Sequence, residues 1–186
     1  MSEFTPRSAK HGRRRRRGND EAWEWVQALA VAVVLALIIR YFIFSPFSVS
    51  GPSMMSTLHN NDLVIVNKVL YMFRDPKPGE VIVFHATEEK DYIKRVIALP
   101  GQTVSAYNNV VRVNGESIEE PYIDEGNRTA DFGPVKVPEG HVFVMGDNRM
   151  NSSDSRNPEV GPVPIDHVVG RADVIFWPLK DFQVLW

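Results

Sequence analysis

Three short clusters hold the residues whose types and spacing could do chemistry. The first runs Ser50-Gly51-Pro52-Ser53-Met54-Met55-Ser56-Thr57-Leu58. A serine after Gly-Pro sits on backbone of restricted geometry, as a nucleophilic hydroxyl requires, but taken alone such a serine is more often just a turn residue. The second runs Asp91-Tyr92-Ile93-Lys94-Arg95-Val96-Ile97-Ala98-Leu99-Pro100-Gly101. If this is a strand, alternation puts Tyr92, Lys94 and Val96 on one face and Ile93, Arg95 and Ile97 on the other. A lysine there is usually an edge-strand solubility device and becomes a base only when desolvated. At the reference pKa of about 10.4 only about 0.04% is neutral at pH 7. A pKa of about 8 raises that to roughly 10%, at a cost near 3 kcal/mol that burial can supply. The third cluster runs Gly146-Asp147-Asn148-Arg149-Met150-Asn151-Ser152-Ser153-Asp154-Ser155-Arg156. Its charges and hydroxyls suit either a polar surface loop or a hydrogen-bonded wall around a site.

The elements that would position these clusters are short and β-like. Leu63 to Val66, Val81 to Phe84, Tyr92 to Ala98, Val110 to Val113, His141 to Met145 and Val168 to Trp177 are rich in Val, Ile and aromatics. Pro76-Lys77-Pro78-Gly79, Pro100-Gly101, Asn114-Gly115 and Pro138-Glu139-Gly140 punctuate them. The pattern predicts a mainly β, antiparallel domain with hairpins, and an exposed acidic loop from Glu116 to Gly133.

Before the first cluster the pattern is different. Val26 to Phe44 is a near-continuous apolar run, and a helix of that length matches the hydrocarbon thickness of a bilayer. Trp23 and Trp25 flank one end, and Tyr41, Phe42 and Phe44 the other. Arg40 is the one charge inside the run and can snorkel to the headgroups. The five arginines from Arg13 to Arg17 favour a cytoplasmic N-terminus by the positive-inside bias. The expected organisation is a basic cytoplasmic arm over 1–22, a transmembrane helix over 23–45, and an extracytoplasmic β domain over 46–186. Two other readings compete: a buried core helix, and a cleaved signal peptide cut at Ser48-Val49-Ser50. The run is long for a signal peptide, and that cut would trim the approach to Ser53.

Charge narrows the function classes. The chain carries a net charge of −2, but residues 1 to 25 alone sum to +3 and residues 45 to 186 to −6. A basic head on an acidic body argues against nucleic-acid binding by that body. The chain has no cysteine, which removes disulfides, thiolate nucleophiles and cysteine metal sites.

Together, and in this order, the three clusters resemble type I signal peptidase of bacteria. The resemblance spans residues 23 to 177, and the short chain with one anchor is similar to the Gram-positive form. It implies a serine endopeptidase that removes signal peptides from secretory preproteins, cutting after small residues at −1 and −3. It implies a Ser/Lys dyad, with Ser53 as nucleophile and Lys94 as general base, and with Ser152 orienting the lysine. It implies structural ion pairs of Asp147 with Arg95 and of Asp154 with Arg156. It implies small apolar subsites lined by Val49, Met54, Leu58, Val64, Val83, Tyr92 and Ile93. The partners implied are preproteins and the phospholipid bilayer, whose surface Phe44, Phe47, Phe176 and Trp177 would touch, with core packing the alternative for Phe176 and Trp177. No nucleic acid, metal or cofactor is implied.

Three positions depart from the family pattern. Ser56 stands where many members have Pro, and Met150 where they have a polar residue. Gly51 stands where some have a serine whose hydroxyl joins the Ser53 N–H as a second oxyanion donor. A hydroxyl restored at 51 is expected to help unless position 51 needs φ > 0. Lys94, where the endoplasmic-reticulum branch has His, separates the chain from that branch. A self-cleaving Ser/Lys repressor-type protease shares the dyad but carries a DNA-binding head. An inactive membrane-tethered β module would not need Ser53, Lys94 and Ser152 together.

Overall fold

The computed structural model of the chain describes residues 17–40, 44–87 and 89–186. They fall into two compact units, one ending at Arg40 and the other starting after it. Among the described residues the first contains one α-helix, α1 (Arg17–Ile38). Its apolar side chains Leu29, Val31, Val33, Val34, Leu35 and Leu37 are all exposed. Among the described residues no helix is long and apolar enough to cross a membrane. The expected span and the arginine arm run partly over residues 1–16 and 41–43, which lie outside the described residues. One boundary is corrected. Phe44 and Ser45, expected at the end of the helix, already belong to strand β1 (Phe44–Ser48). Pro46 disfavours helix at Ser45 and cannot sit inside one, so the chain turns extended there.

The second unit is built from two antiparallel sheets. The strands after β1 are β2 (Leu63–Asn67), β3 (Val81–His85), β4 (Asp91–Ala98), β5 (Thr103–Tyr107), β6 (Val110–Val113) and β7 (Glu116–Ser117). They continue with β8 (Phe132–Lys136), β9 (His141–Met145), β10 (Val163–Pro164), β11 (Val168–Trp177) and β12 (Gln183–Val184). The larger sheet has the order β1-β2-β11-β3-β4-β9-β10, with β12 paired to β11. The smaller has the order β7-β6-β5-β8.

The unbroken apolar runs of β3 and β9 have a physical reason. A strand buried on both faces loses the polar alternation of a half-exposed one. In β3, Val81 and Val83 enter one core with Val49, Met54, Leu58 and Val64, while Ile82 and Phe84 enter another with Val96 and Val144. In β9, Val142 and Val144 share that second core, and Phe143 and Met145 enter a third beneath the smaller sheet. β4 joins β3 in the register Ile82↔Lys94 and Val83↔Ile93. This seats Lys94 in the middle of a sheet, with 3% of its surface exposed, and not on an edge.

The acidic stretch expected as an exposed loop is more structured than its composition suggests. It begins with β7, ends in β8, and buries Thr129. Glu120 forms an ion pair with Arg149, whose side chain is wholly buried.

Candidate active site

The first cluster folds as a tight turn leading from β1 towards β2. Met55 N–H donates to Pro52 O, and both Thr57 and Leu58 N–H donate to Met54 O. Met54 and Leu58, four apart on this turn, bury their side chains in the core below. They anchor the loop and leave Ser53 at its surface. Gly51 has φ +91° and gives its N–H to Asn60 Oδ1, a conformation that side-chain-bearing residues adopt only with strain.

Strand β4 delivers Lys94 to this loop. Lys94 Nζ lies 2.8 Å from Ser53 Oγ and donates to Ile93 O at 2.8 Å. The Tyr92 ring centre is 5.1 Å from Nζ. Burial lowers the Lys94 pKa from 10.5 to about 8, against the opposing pull of the Asp154 and Asp147 carboxylates. Ser53 and Lys94, 41 positions apart in the chain, are thus in contact in a desolvated place.

The third cluster wraps the other side. Asn148 N–H donates to Ser53 O, and its side-chain amide to Pro52 O, so it clasps the backbone of the serine. Gly146 has no room for a side chain, because a Cβ there would collide with Ser152 Oγ and with Ser53 O. Arg95 grips Asp147 with two bonds, Nε to Oδ1 at 2.9 Å and Nη2 to Oδ2 at 2.6 Å. Arg156 grips Asp154 in the same way, at 2.8 and 2.7 Å. Burial works to raise the Asp154 pKa, but the Arg156 guanidinium and the Gly146 N–H outweigh it and hold the carboxyl below its ordinary value. Ser152 Oγ is buried beside the Asp154 carboxyl, whose pKa it helps to lower, and is not hydrogen-bonded to Lys94.

A cavity of about 160 Å³ opens over Ser53 and Lys94, lined also by Phe47, Ser48, Ser50, Asp91, Tyr92, Ile93 and Ser153. Of the seven residues expected to line subsites, only Tyr92 and Ile93 reach it. Val49, Met54, Leu58, Val64 and Val83 are at most 2% exposed and pack against one another. They lie beneath the site: Val64 and Val83 on the inward faces of β2 and β3, and Val49, Met54 and Leu58 from the segment between β1 and β2. Phe47 lines the cavity mouth, while Phe176 is half-buried and Trp177 exposed. No cluster of metal-ligating side chains occurs among the described residues.

The sequence reading missed the contribution of the segment after β7. Tyr122 lays its ring on the Arg95 guanidinium at 3.9 Å, and Tyr122 O accepts the Ser56 hydroxyl. Asn127 donates to Asp147 O. Glu120 meets Arg149 across 29 positions, a distance at which no periodic signal pairs residues.

The family described as signal peptidase, peptidase S26, matches residues 22–177. The chain belongs to this family. It is 40% identical over 191 residues to signal peptidase I of Bacillus amyloliquefaciens, covering 97% of each chain. It is 40% identical over 170 residues to signal peptidase I T of Bacillus subtilis (strain 168), covering 86% of this chain and 88% of the relative. A solved structure of a signal peptidase I from Enterococcus faecalis V583 is 32% identical, covers 53% of this chain and 97% of that one, and superposes with a TM-score of 0.46.

Proposed function

We propose that this member of the S26 family is a serine endopeptidase that removes signal peptides from preproteins with a Ser53–Lys94 dyad. The observation that carries the reading is the 2.8 Å approach of a buried lysine, its pKa drawn down to about 8, to a serine hydroxyl at the floor of an open cavity. Neutral Lys94 takes the Ser53 proton as Oγ bonds to the scissile carbonyl carbon. The oxygen of the tetrahedral intermediate gains the negative charge and faces the Ser53 N–H, which makes no other hydrogen bond among the described residues. The C–N bond then breaks, and the Lys94 ammonium returns its proton to the leaving amine. Water attacks the Ser53 ester, Lys94 accepts the water's proton, and Ser53 recovers its own as the acid departs.

In this reading Ser152 is the base-orienting group. A protonated Lys94 has three N–H bonds to place, and Ser53 Oγ and Ile93 O accept only two. The buried Ser152 hydroxyl, its proton turned towards the Asp154 carboxylate, supplies an acceptor oxygen when the proton arrives. The cavity, small and walled by Phe47, Tyr92 and Ile93, favours small uncharged residues at −1 and −3 over large or charged ones. The chain organisation in this reading is a cytoplasmic arm, an anchor that begins in α1, and an extracytoplasmic β domain. The exposed apolar side chains from Leu29 to Leu37 suit an apolar solvent, and the exposed Trp23 and Trp25 suit its interface.

The test is cleavage of a purified preprotein. The parent enzyme releases mature protein, whereas Ser53→Ala and Lys94→Arg release none although both fold. A guanidinium cannot give up its proton near neutral pH. Turnover by either variant would end the dyad reading.

A further inference from the structure

Ser53 and Lys94 ride on separate elements, and their approach depends on what locks the two together. Behind the dyad, on the opposite face of β4, a compact network does this. Arg95, the neighbour of Lys94, donates to both Asp147 carboxylate oxygens, to Gly79 O at 2.7 Å and to Thr57 Oγ1 at 3.3 Å. Thr57, four residues after Ser53, donates its hydroxyl proton to the same Asp147 carboxylate. The serine loop and the lysine strand therefore meet in one guanidinium–carboxylate–hydroxyl cluster.

That cluster is roofed from outside by a single side chain. Tyr122 lies face-on over the Arg95 guanidinium at 3.9 Å. Its backbone carbonyl accepts the hydroxyl of Ser56, three residues after Ser53, at 3.0 Å. The segment that carries it is tied down on both sides: Glu120 binds Arg149, and Asn127 donates to Asp147 O at 2.7 Å. Resting on the dyad assigned above, we propose that Tyr122 is a positioning residue that sets the Ser53–Lys94 geometry through Arg95 and Asp147.

Two physical effects run through the ring. It excludes water from bonds that weaken when hydrated. It also keeps Arg95 on Asp147, so that this carboxylate stays neutralised. The Asp154 and Asp147 carboxylates both oppose the neutral form of Lys94, and Asp147 is the one that Arg95 neutralises. Loosening the guanidinium exposes Lys94 to more of that negative charge and stabilises the ammonium. The ring face is what matters here. The Tyr122 hydroxyl only reaches Glu120, at 3.2 Å.

The experiment compares Tyr122→Leu, Tyr122→Met and Tyr122→Phe in the full-length enzyme, with rates normalised to acylatable active sites. Tyr122→Leu and Tyr122→Met are expected to lower kcat about tenfold, with KM changed less than twofold. The acid limb of the kcat profile should move upward by about half a pH unit. Tyr122→Phe should restore both. Either of the first two suffices if the other does not fold. An unmoved pH limb with unchanged kcat per active site, even beside a lowered Tm, would overturn the proposal and leave Tyr122 a structural residue. Tyr122→Phe as impaired as Tyr122→Leu would overturn it as well. Ser53→Ala, run in parallel, reports on the dyad independently, because it is inactive under that reading whatever Tyr122 does.

Discussion

At the scale of single residues, Lys94 carries two measurable consequences of one burial. Its neutral form accumulates as pH rises through about 8, so kcat/KM should climb tenfold per unit below that pH and level off above it. A flat profile from pH 6 to 9 would show that the free amine is not the base. The stability effect has a definite sign. Below pH 8 both the folded and the unfolded chain hold the proton, and the desolvated ammonium destabilises the fold in full. Between about 8 and 10.5 the folded chain releases its proton first, so stability rises with pH across that window. Lys94→Met should accordingly be inactive yet more stable than the parent at pH 7, by up to about 3 kcal/mol. The gap should close towards pH 10.5 in denaturant titrations. Gly51 gives the opposite lesson. Its φ of +91° overturns the expected gain from a restored hydroxyl there. A Cβ would meet no neighbour within 4 Å, but the backbone itself would be strained by about 1 kcal/mol or more and would shift Ser53. Gly51→Ser and Gly51→Ala should lose kcat/KM to similar degrees. A serine variant faster than the alanine one would show the hydroxyl reaching the oxyanion.

At the scale of elements, the serine loop is held from below by two side chains. Leu58 is fully buried, so Leu58→Ala should cost about 2 to 5 kcal/mol, seen as a lowered Tm. The cleavage preference should be left alone, because Leu58 does not reach the cavity. A Leu58→Ala enzyme of parental stability that accepts larger residues at −1 would return it to the subsite. The same elements show what a sequence discloses. The runs behind β2, β3, β4, β6, β9 and β11 were legible because burial on one or both faces leaves an apolar signature. β1 and β8 were not, since Phe-Ser-Pro-Phe-Ser and Phe-Gly-Pro-Val-Lys carry prolines and glycine that normally mark turns. Val49, Met54, Leu58, Val64 and Val83, expected to line subsites and found buried beneath the cavity, are a related case. Apolar positions near a nucleophile read the same whether they line a pocket or floor it. The Arg149–Glu120 and Arg95–Tyr122 contacts were invisible, because only the fold brings them together.

At the scale of the whole molecule, the proposed topology makes a simple demand. With the arm inside and the β domain outside, protease added to intact protoplasts should digest the chain after about residue 45 and leave a small N-terminal fragment. A protected β domain would contradict this orientation.

Strand β11 adds a constraint of timing. It lies between β2 and β3 and pairs with both, yet it is made from residues 168–177, near the end of the chain. The loop bearing Ser53 belongs to the half of the sheet on one side of it, and Lys94 to the half on the other. Until β11 is in place the two halves have no strand joining them, and the approach of Ser53 to Lys94 rests on the contacts of Thr57, Arg95, Asp147 and Asn148. Such long-range closure is slow compared with local pairing. Under the proposed dyad a nascent chain therefore carries both Ser53 and Lys94 from residue 94 onwards, and its full activity awaits residues 168–177.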